Sequence, residues 1–226
     1  MNKSIIYTFI KWSVRFVLFF FSMIFIILLL TKWINPPITT VILSESISLD
    51  QKVNQEWRTI DKIGKNVILT VLASEDSNFC THYGFDFNEI FRAKEKGFSR
   101  GASTISQQVS KNLILWRERS WFRKGLEALI TIMIETLWSK KRILEIYLNI
   151  AETGNGYFGI QAISNSLFKK NSYDLTLKEA SYIAVTLPNP KKRNAKKLSI
   201  NLKKRAESVR NGANTLRLDG RASCVL

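Results

Sequence analysis

Glu75 heads the run EDSNFCTHYG, residues 75–84. Further along, the chain adds GASTISQQVSKN, residues 101–112, and then a stretch carrying Arg123, Lys124 and Glu127. A carboxylate can take a proton from a sugar hydroxyl, and cations placed in advance can stabilise an anionic leaving group. Acids and bases alternating along one stretch therefore suit sugar transfer with a charged leaving group. Other chemistries are poorly supplied. His82 is the single histidine, so there is no second imidazole for a two-histidine zinc site, although counting alone does not exclude a Ser-His pair. Cys80 and Cys224 are the only cysteines. They stand far apart, which offers neither a disulfide framework nor a CxxC metal site and favours free thiols over a single bridge.

These groups need elements to hold them. Val67 to Ala73 is apolar and leads into Ser74, Glu75 and Asp76, which puts Glu75 near the C-terminal end of a helix with Gly84 as its stop. Asp86 with Glu89 has capping-box spacing for the next helix, which Gly97 would end. GFSRG, residues 97–101, reads as a mobile loop. Thr104 with Gln107 repeats the capping-box spacing and starts a helix on which Gln107 and Lys111 share a face. A third helix is expected from Trp121 to Trp138. A fourth, KKRILEIYLNIAE, carries Ile143, Leu144, Tyr147 and Leu148 as an apolar core stripe, with Asn149 as a cap. GNGYFG, residues 154–159, reads as a glycine turn, Thr176 with Glu179 caps another helix, and Pro188 and Pro190 end it. Strands should be few and short.

Upstream of all this, Phe16 to Leu30 is apolar except for Ser22, and Trp12 and Trp33 bracket it. The bracketed length is roughly 31 Å as a helix, close to a bilayer's hydrocarbon thickness, and tryptophans suit both interfaces. Lys3, Lys11 and Arg15 precede the run and only Lys32 follows it closely, which leaves the N-terminus in the cytoplasm and the remainder outside. LLLTKWINPP offers no A-x-A-like cleavage site, which favours a retained anchor over a removed signal peptide. The expected layout is an N-terminus at 1–15, an anchor at 16–34, a polar connecting segment at 35–62, a catalytic domain at 63–210 and a C-terminal tail at 211–226, the chain from Lys191 onward being basic and frayed at its end. The formal charge is +16, from 34 Lys and Arg against 18 Asp and Glu. That points to an anionic partner: lipid headgroups, a phosphorylated substrate or nucleic acid.

Taken together, E-D-x-x-F-x-x-H-x-G at 75–84, G-x-S-T-I-x-Q-Q-x-x-K-N at 101–112 and R-K-x-x-E at 123–127 resemble the first three signature blocks of the peptidoglycan glycosyltransferases. ILEIYLNIAETGNGYFGIQA, residues 143–162, and LTLKEASYIAVTLPNP, residues 175–190, resemble the fourth and fifth, so the likeness covers roughly residues 65–210. Ser166 and Lys169 form an S-x-x-K, but there is no KTG box. The chain thus resembles the stand-alone, monofunctional biosynthetic transglycosylases and not the bifunctional penicillin-binding proteins. Leu167 stands where the family usually has tyrosine, Lys169 where glycine is common, and Cys80 is unusual in the first block.

The resemblance implies a mainly α, lysozyme-like, two-lobed domain behind one transmembrane helix in the bacterial inner membrane. It implies polymerisation of lipid II and a lipid-linked glycan chain, in company with cell-wall synthesis or division proteins and without nucleic acid. Glu75 would be the general base and Glu127 the second important glutamate, positioning the donor, its cations or a divalent ion. Lys111, Arg123 and Lys124 would face the diphosphate, and Ser103 and Gln107 would orient sugar or phosphate oxygens. Asp76, Phe79, His82, Gly84 and Thr104 would support them. No organic cofactor is implied, and a magnesium or manganese ion could sit at the diphosphate. Plainer roles compete: Glu75 as a solvated helix-end acid, Arg123 and Glu127 as a surface i,i+4 pair, and Lys111 as a solvated lysine. Two rival functions also stand, a lytic enzyme acting on mature glycan and a non-catalytic, membrane-tethered basic module.

Overall fold

The computed structural model describes residues 3–50, 52–95, 97, 103–118 and 120–226. The chain divides into two compact units, one ending at Pro36 and the other running Pro37–Leu226. The first is a single helix, α1 (Lys3–Thr31), of which Ile6–Thr31 is long and apolar enough to cross a membrane. It starts well before the expected Phe16. No glycine or proline precedes Pro36, so helix propensity carries the helix through Lys11 and Arg15, where the apolar run alone would have begun later. Trp33 lies in the turn just beyond, with the Lys32 ammonium 5.0 Å from its ring centre.

The second unit is mainly helical. The expected connecting segment is in fact structured: α2 (Thr40–Leu49) is capped by Thr39, and β1 (Asn54–Gln55) and a 3-10 turn (Ile60–Lys62) follow. Its serines and glutamate hid an apolar face, since Val41 and Ile42 pack on Phe158 and Val53. Next come α3 (Lys65–Glu75), α4 (Phe87–Glu95), α5 (Ile105–Ile114), α6 (Trp121–Leu137) and α7 (Lys140–Ile150). The chain ends with β2 (Glu152–Gly154), β3 (Tyr157–Phe158), α8 (Ile160–Phe168), α9 (Leu177–Ala184) and α10 (Ile200–Asp219). The three strands form one small sheet in the order β1-β3-β2, with β1 parallel and β2 antiparallel to β3.

Helix packing falls into two groups, α5 with α2, α6 and α7, and α3 with α9 and α10. The α7 stripe Ile143, Leu144, Tyr147 and Leu148 is fully buried. Gly159 lets the β3–α8 corner close against α7: its φ is +80°, and a Cβ there would stand 2.8 Å from the Asn149 carbonyl oxygen. α3 stops at Glu75 and not at Gly84, with Asp76 already out of helical geometry at φ −162°.

Two further expectations are overturned. The basic C-terminal part is not a frayed tail, because α10 runs uninterrupted past residue 210 and buries Ala206, Val209, Ala213 and Leu216. That apolar stripe is narrow, and the lysines and arginines around it mask it in the sequence. The cysteines are also paired: Cys80 and Cys224 form a disulfide with their Cα atoms 5.8 Å apart. A separation of 144 residues says nothing about proximity once α10 returns along α3 and delivers Cys224 to the loop after Glu75.

Candidate active site

α3 owes its position to Val67 to Leu72, all of them buried, and this fixes Glu75 at the helix's last position. Glu75 is half-buried. The Gln108 amide donates to its Oε2 at 3.1 Å, and the Ser74 hydroxyl lies 3.3 Å from its Oε1. Burial pushes its carboxyl above the ordinary range. The Gln108 hydrogen bond, the Arg205 charge and Ser74 pull against that shift, while the neighbouring Asp76 adds to it. A raised pKa makes the carboxylate a stronger proton acceptor, which is what a general base needs.

Asp76 works on the scaffold. Its Oδ2 accepts from the Ile105 backbone N–H at 2.9 Å, in the first turn of α5, and its Oδ1 accepts from His82 Nε2 at 2.9 Å. Phe79 is buried, edge-on to His82, with the Lys140 ammonium 4.6 Å from its ring centre. Gly84 sits at φ +82°, where a Cβ would meet Thr131 at 2.7 Å, and its carbonyl accepts from the Thr104 hydroxyl at 2.6 Å. The loop after Glu75 is thereby tied to the start of α5.

α5 carries the next set of groups. Thr104 and Gln107 form a complete capping box, in which the Gln107 side-chain oxygen accepts from the Thr104 N–H at 3.1 Å. Gln107 is buried and engaged in the cap, whereas Gln108, about 100° further round the helix, reaches Glu75. Gln108 and Lys111 line a cleft of about 200 Å³ with Asn112, Arg117, Tyr147 and Glu152. One wall is an ion-pair network that the sequence did not suggest: buried Glu45 on α2 holds Arg117 at 2.5 Å and Lys191 at 2.6 Å, and Arg117 also reaches Glu152 at 2.9 Å.

At the other end of α5, Lys124 lies 3.4 Å from the Ser103 hydroxyl. Arg123 and Lys124 both bond Glu127, Arg123 to its Oε2 at 2.6 Å. This is no surface pair, since Arg123 and Glu127 are 7% and 3% exposed. Arg123 Nε is buried with no hydrogen-bond partner among the described residues, which leaves a donor for an oxyanion. Thr131 fastens the site to α5, donating to the Glu127 carbonyl at 2.7 Å and meeting Ser110 at 2.8 Å. Ser103 stands just before the Thr104 cap and Gln108 is in α5, so this short stretch of chain reaches both the Glu127 side and the Glu75 side. Of the expected mobile loop, Gly97 closes the end of α4, and residues 98–101 lie outside the described residues.

A protein-held divalent ion fits these residues poorly. Both Glu127 oxygens are taken by cations, and no group of three or more His, Cys, Asp or Glu is gathered among the described residues.

The family model described as Transglycosylase matches residues 42–214. Among curated proteins, the "Biosynthetic peptidoglycan transglycosylase" of Mannheimia succiniciproducens is 41% identical, over 97% of this chain and 94% of its own length. Proteins of the same name from a Jannaschia species and from Pseudomonas syringae pv. syringae are 43% and 42% identical, over 84% and 87% of this chain and 79% and 87% of theirs. The ordered motifs, the helical scaffold that gathers them and these likenesses agree: the chain belongs to the Transglycosylase family.

Proposed function

We propose that the protein is a peptidoglycan glycan-chain polymerase that joins lipid II units by β-1,4 bonds with inversion and releases undecaprenyl diphosphate. The observation that carries this reading is the half-buried, pKa-raised Glu75, held by Gln108 from the same helix whose start meets the Arg123, Lys124 and Glu127 cluster. Glu75 takes the proton of the acceptor's 4-hydroxyl as that oxygen bonds to the donor's anomeric carbon. The carbon–oxygen bond to the diphosphate breaks on the opposite face, and the electron pair leaves with the diphosphate. Lys111, Arg123 and Lys124 stabilise that growing charge more than the ground state, which is what accelerates the step. Glu127 holds Arg123 and Lys124 in place between turnovers.

α1 serves as a single-pass anchor in the inner membrane with its N-terminus in the cytoplasm, so the catalytic unit meets the lipid-linked substrate outside. The net positive charge serves lipid diphosphate and anionic headgroups and not nucleic acid, and other wall-synthesis or division proteins work beside it. A lytic enzyme on mature glycan is the weaker reading, because a neutral glycan has no diphosphate to meet the cations. Labelled lipid II supplied to the full chain in detergent separates the two. Glycan polymer is expected, with a loss on the order of a hundredfold or more in Glu75→Gln. Muropeptide release from mature wall without polymer, or full polymerisation by Glu75→Gln, overturns the proposal.

A further inference from the structure

Tyr147 stands out in the α7 stripe as the one polar-tipped side chain among Ile143, Leu144 and Leu148, and it is 1% exposed. A phenylalanine would fill the same space. Among the described residues its hydroxyl has one hydrogen-bond partner, the side-chain oxygen of Gln108, at 3.4 Å. The other end of the Gln108 amide donates to Glu75 Oε2 at 3.1 Å. A carbonyl oxygen only accepts, so the phenol must be the donor. A primary amide has two orientations related by a flip, and the chosen one is whichever its neighbours satisfy. Here both neighbours choose alike: the phenol wants the oxygen, and the carboxylate wants the N–H. Turned over, Gln108 would set its oxygen against a carboxylate oxygen.

Resting on Glu75 as the general base, we propose that Tyr147 is a positioning residue: its hydroxyl holds the Gln108 amide in the orientation that presents an N–H to the catalytic carboxylate. The contact is long for an O–H···O bond, as such bonds often are before substrate draws a site together. The direction of donation is secure, because burial together with the Glu75 and Asp76 charges pushes the phenol well above its ordinary pKa. Tyr147 keeps its proton throughout the working pH range.

The groups acting on Glu75 come from several elements: the neutral amide of Gln108 on α5, the Arg205 charge from α10, the Ser74 hydroxyl on α3, and the charge of Asp76, which follows α3 and is held by His82. Only the amide depends on Tyr147. With the phenol gone, only the carboxylate still selects that orientation, the amide is held less firmly, the carboxylate loses part of a bond that favours its charged form, and its pKa rises further. Tyr147→Phe should therefore lower turnover by roughly tenfold and move the acid limb of the pH profile upward by about half a unit to one unit, a hydrogen bond to a charged group being worth about that much.

The assay is polymerisation of labelled lipid II by the full chain across pH, for Tyr147→Phe, Gln108→Leu and the double variant, with melting temperatures alongside. In the double variant the rate and the acid limb should match Gln108→Leu alone, because the tyrosine acts only through that amide. A wild-type rate and pH profile in Tyr147→Phe overturns the inference, as does a Tyr147→Phe loss that adds in full to that of Gln108→Leu, which would mark Tyr147 as packing alone. Either of these results with Glu75→Gln inactive leaves the base assignment intact. Activity in Glu75→Gln removes that assignment and the inference with it.

Discussion

Reducing the Cys80–Cys224 bond should strip the catalytic unit of much of its stability. The bond closes a loop of 144 residues, which contains nearly the whole unit from the end of the Glu75 loop to the last turn of the chain. In the chain-entropy description, a crosslink of that span destabilises the unfolded ensemble by about 5 kcal/mol. A domain's entire stability is about 5–15 kcal/mol, so a third or more of it is at stake. At this size each kcal/mol moves the melting temperature by about 2–4 °C, and the full effect is a fall of roughly 10–20 °C. Cys224 is exposed and Cys80 half-exposed, so a small dithiol can reach them. The assay is thermal unfolding of the full chain in detergent, followed by circular dichroism with and without dithiothreitol, with Cys224→Ser as the covalent control. Thiol titration of the reduced sample reports completion. A melting temperature that moves by less than about 3 °C while two free thiols are counted would refute the reasoning, because the tail would then be held by Ala222, Val225 and the Arg221–Asn78 contact alone.

Glu127→Ala leaves Arg123 buried without its partner and should cost about 3–5 kcal/mol in urea unfolding, whereas replacing both residues by apolar ones of similar size recovers most of that loss. The raised pKa of Glu75 makes two further predictions. Because the base must be ionised, the acid limb of the activity profile should lie above the ordinary 4.5 of a glutamate. Because the native state binds that proton more tightly than the unfolded chain, Glu75 contributes stability below the unfolded value and loses it as pH rises through the folded one. Glu75→Gln should therefore melt above the wild type at neutral pH, and the gap should close as the pH falls to about 4.

Much of the scaffold was legible from local chemistry. The capping boxes at Thr104 and Thr176 are where their spacing put them, since a cap involves only residues three apart. The α6 and α7 spans and the buried α7 stripe follow from apolar periodicity in the same way. Two kinds of feature were harder to read. α2 and α10 carry thin apolar faces amid polar and basic residues, so composition masks their periodicity. Gln107 and Gln108 are adjacent and chemically identical, and only the direction of each around α5 distinguishes the capping residue from the one that meets Glu75.

The catalytic vocabulary, the family, the membrane-crossing length of α1 and the caps that start most helices can be read from the residues in order, because each depends on residue type and short spacing. Tertiary structure alone decided which glutamine serves Glu75, that Arg205 from the C-terminal helix acts on it, that Glu45 organises the cleft wall and that Cys80 finds Cys224. Those are contacts between residues distant in the chain. Their energies depend on burial and direction, and neither exists until the helices have packed.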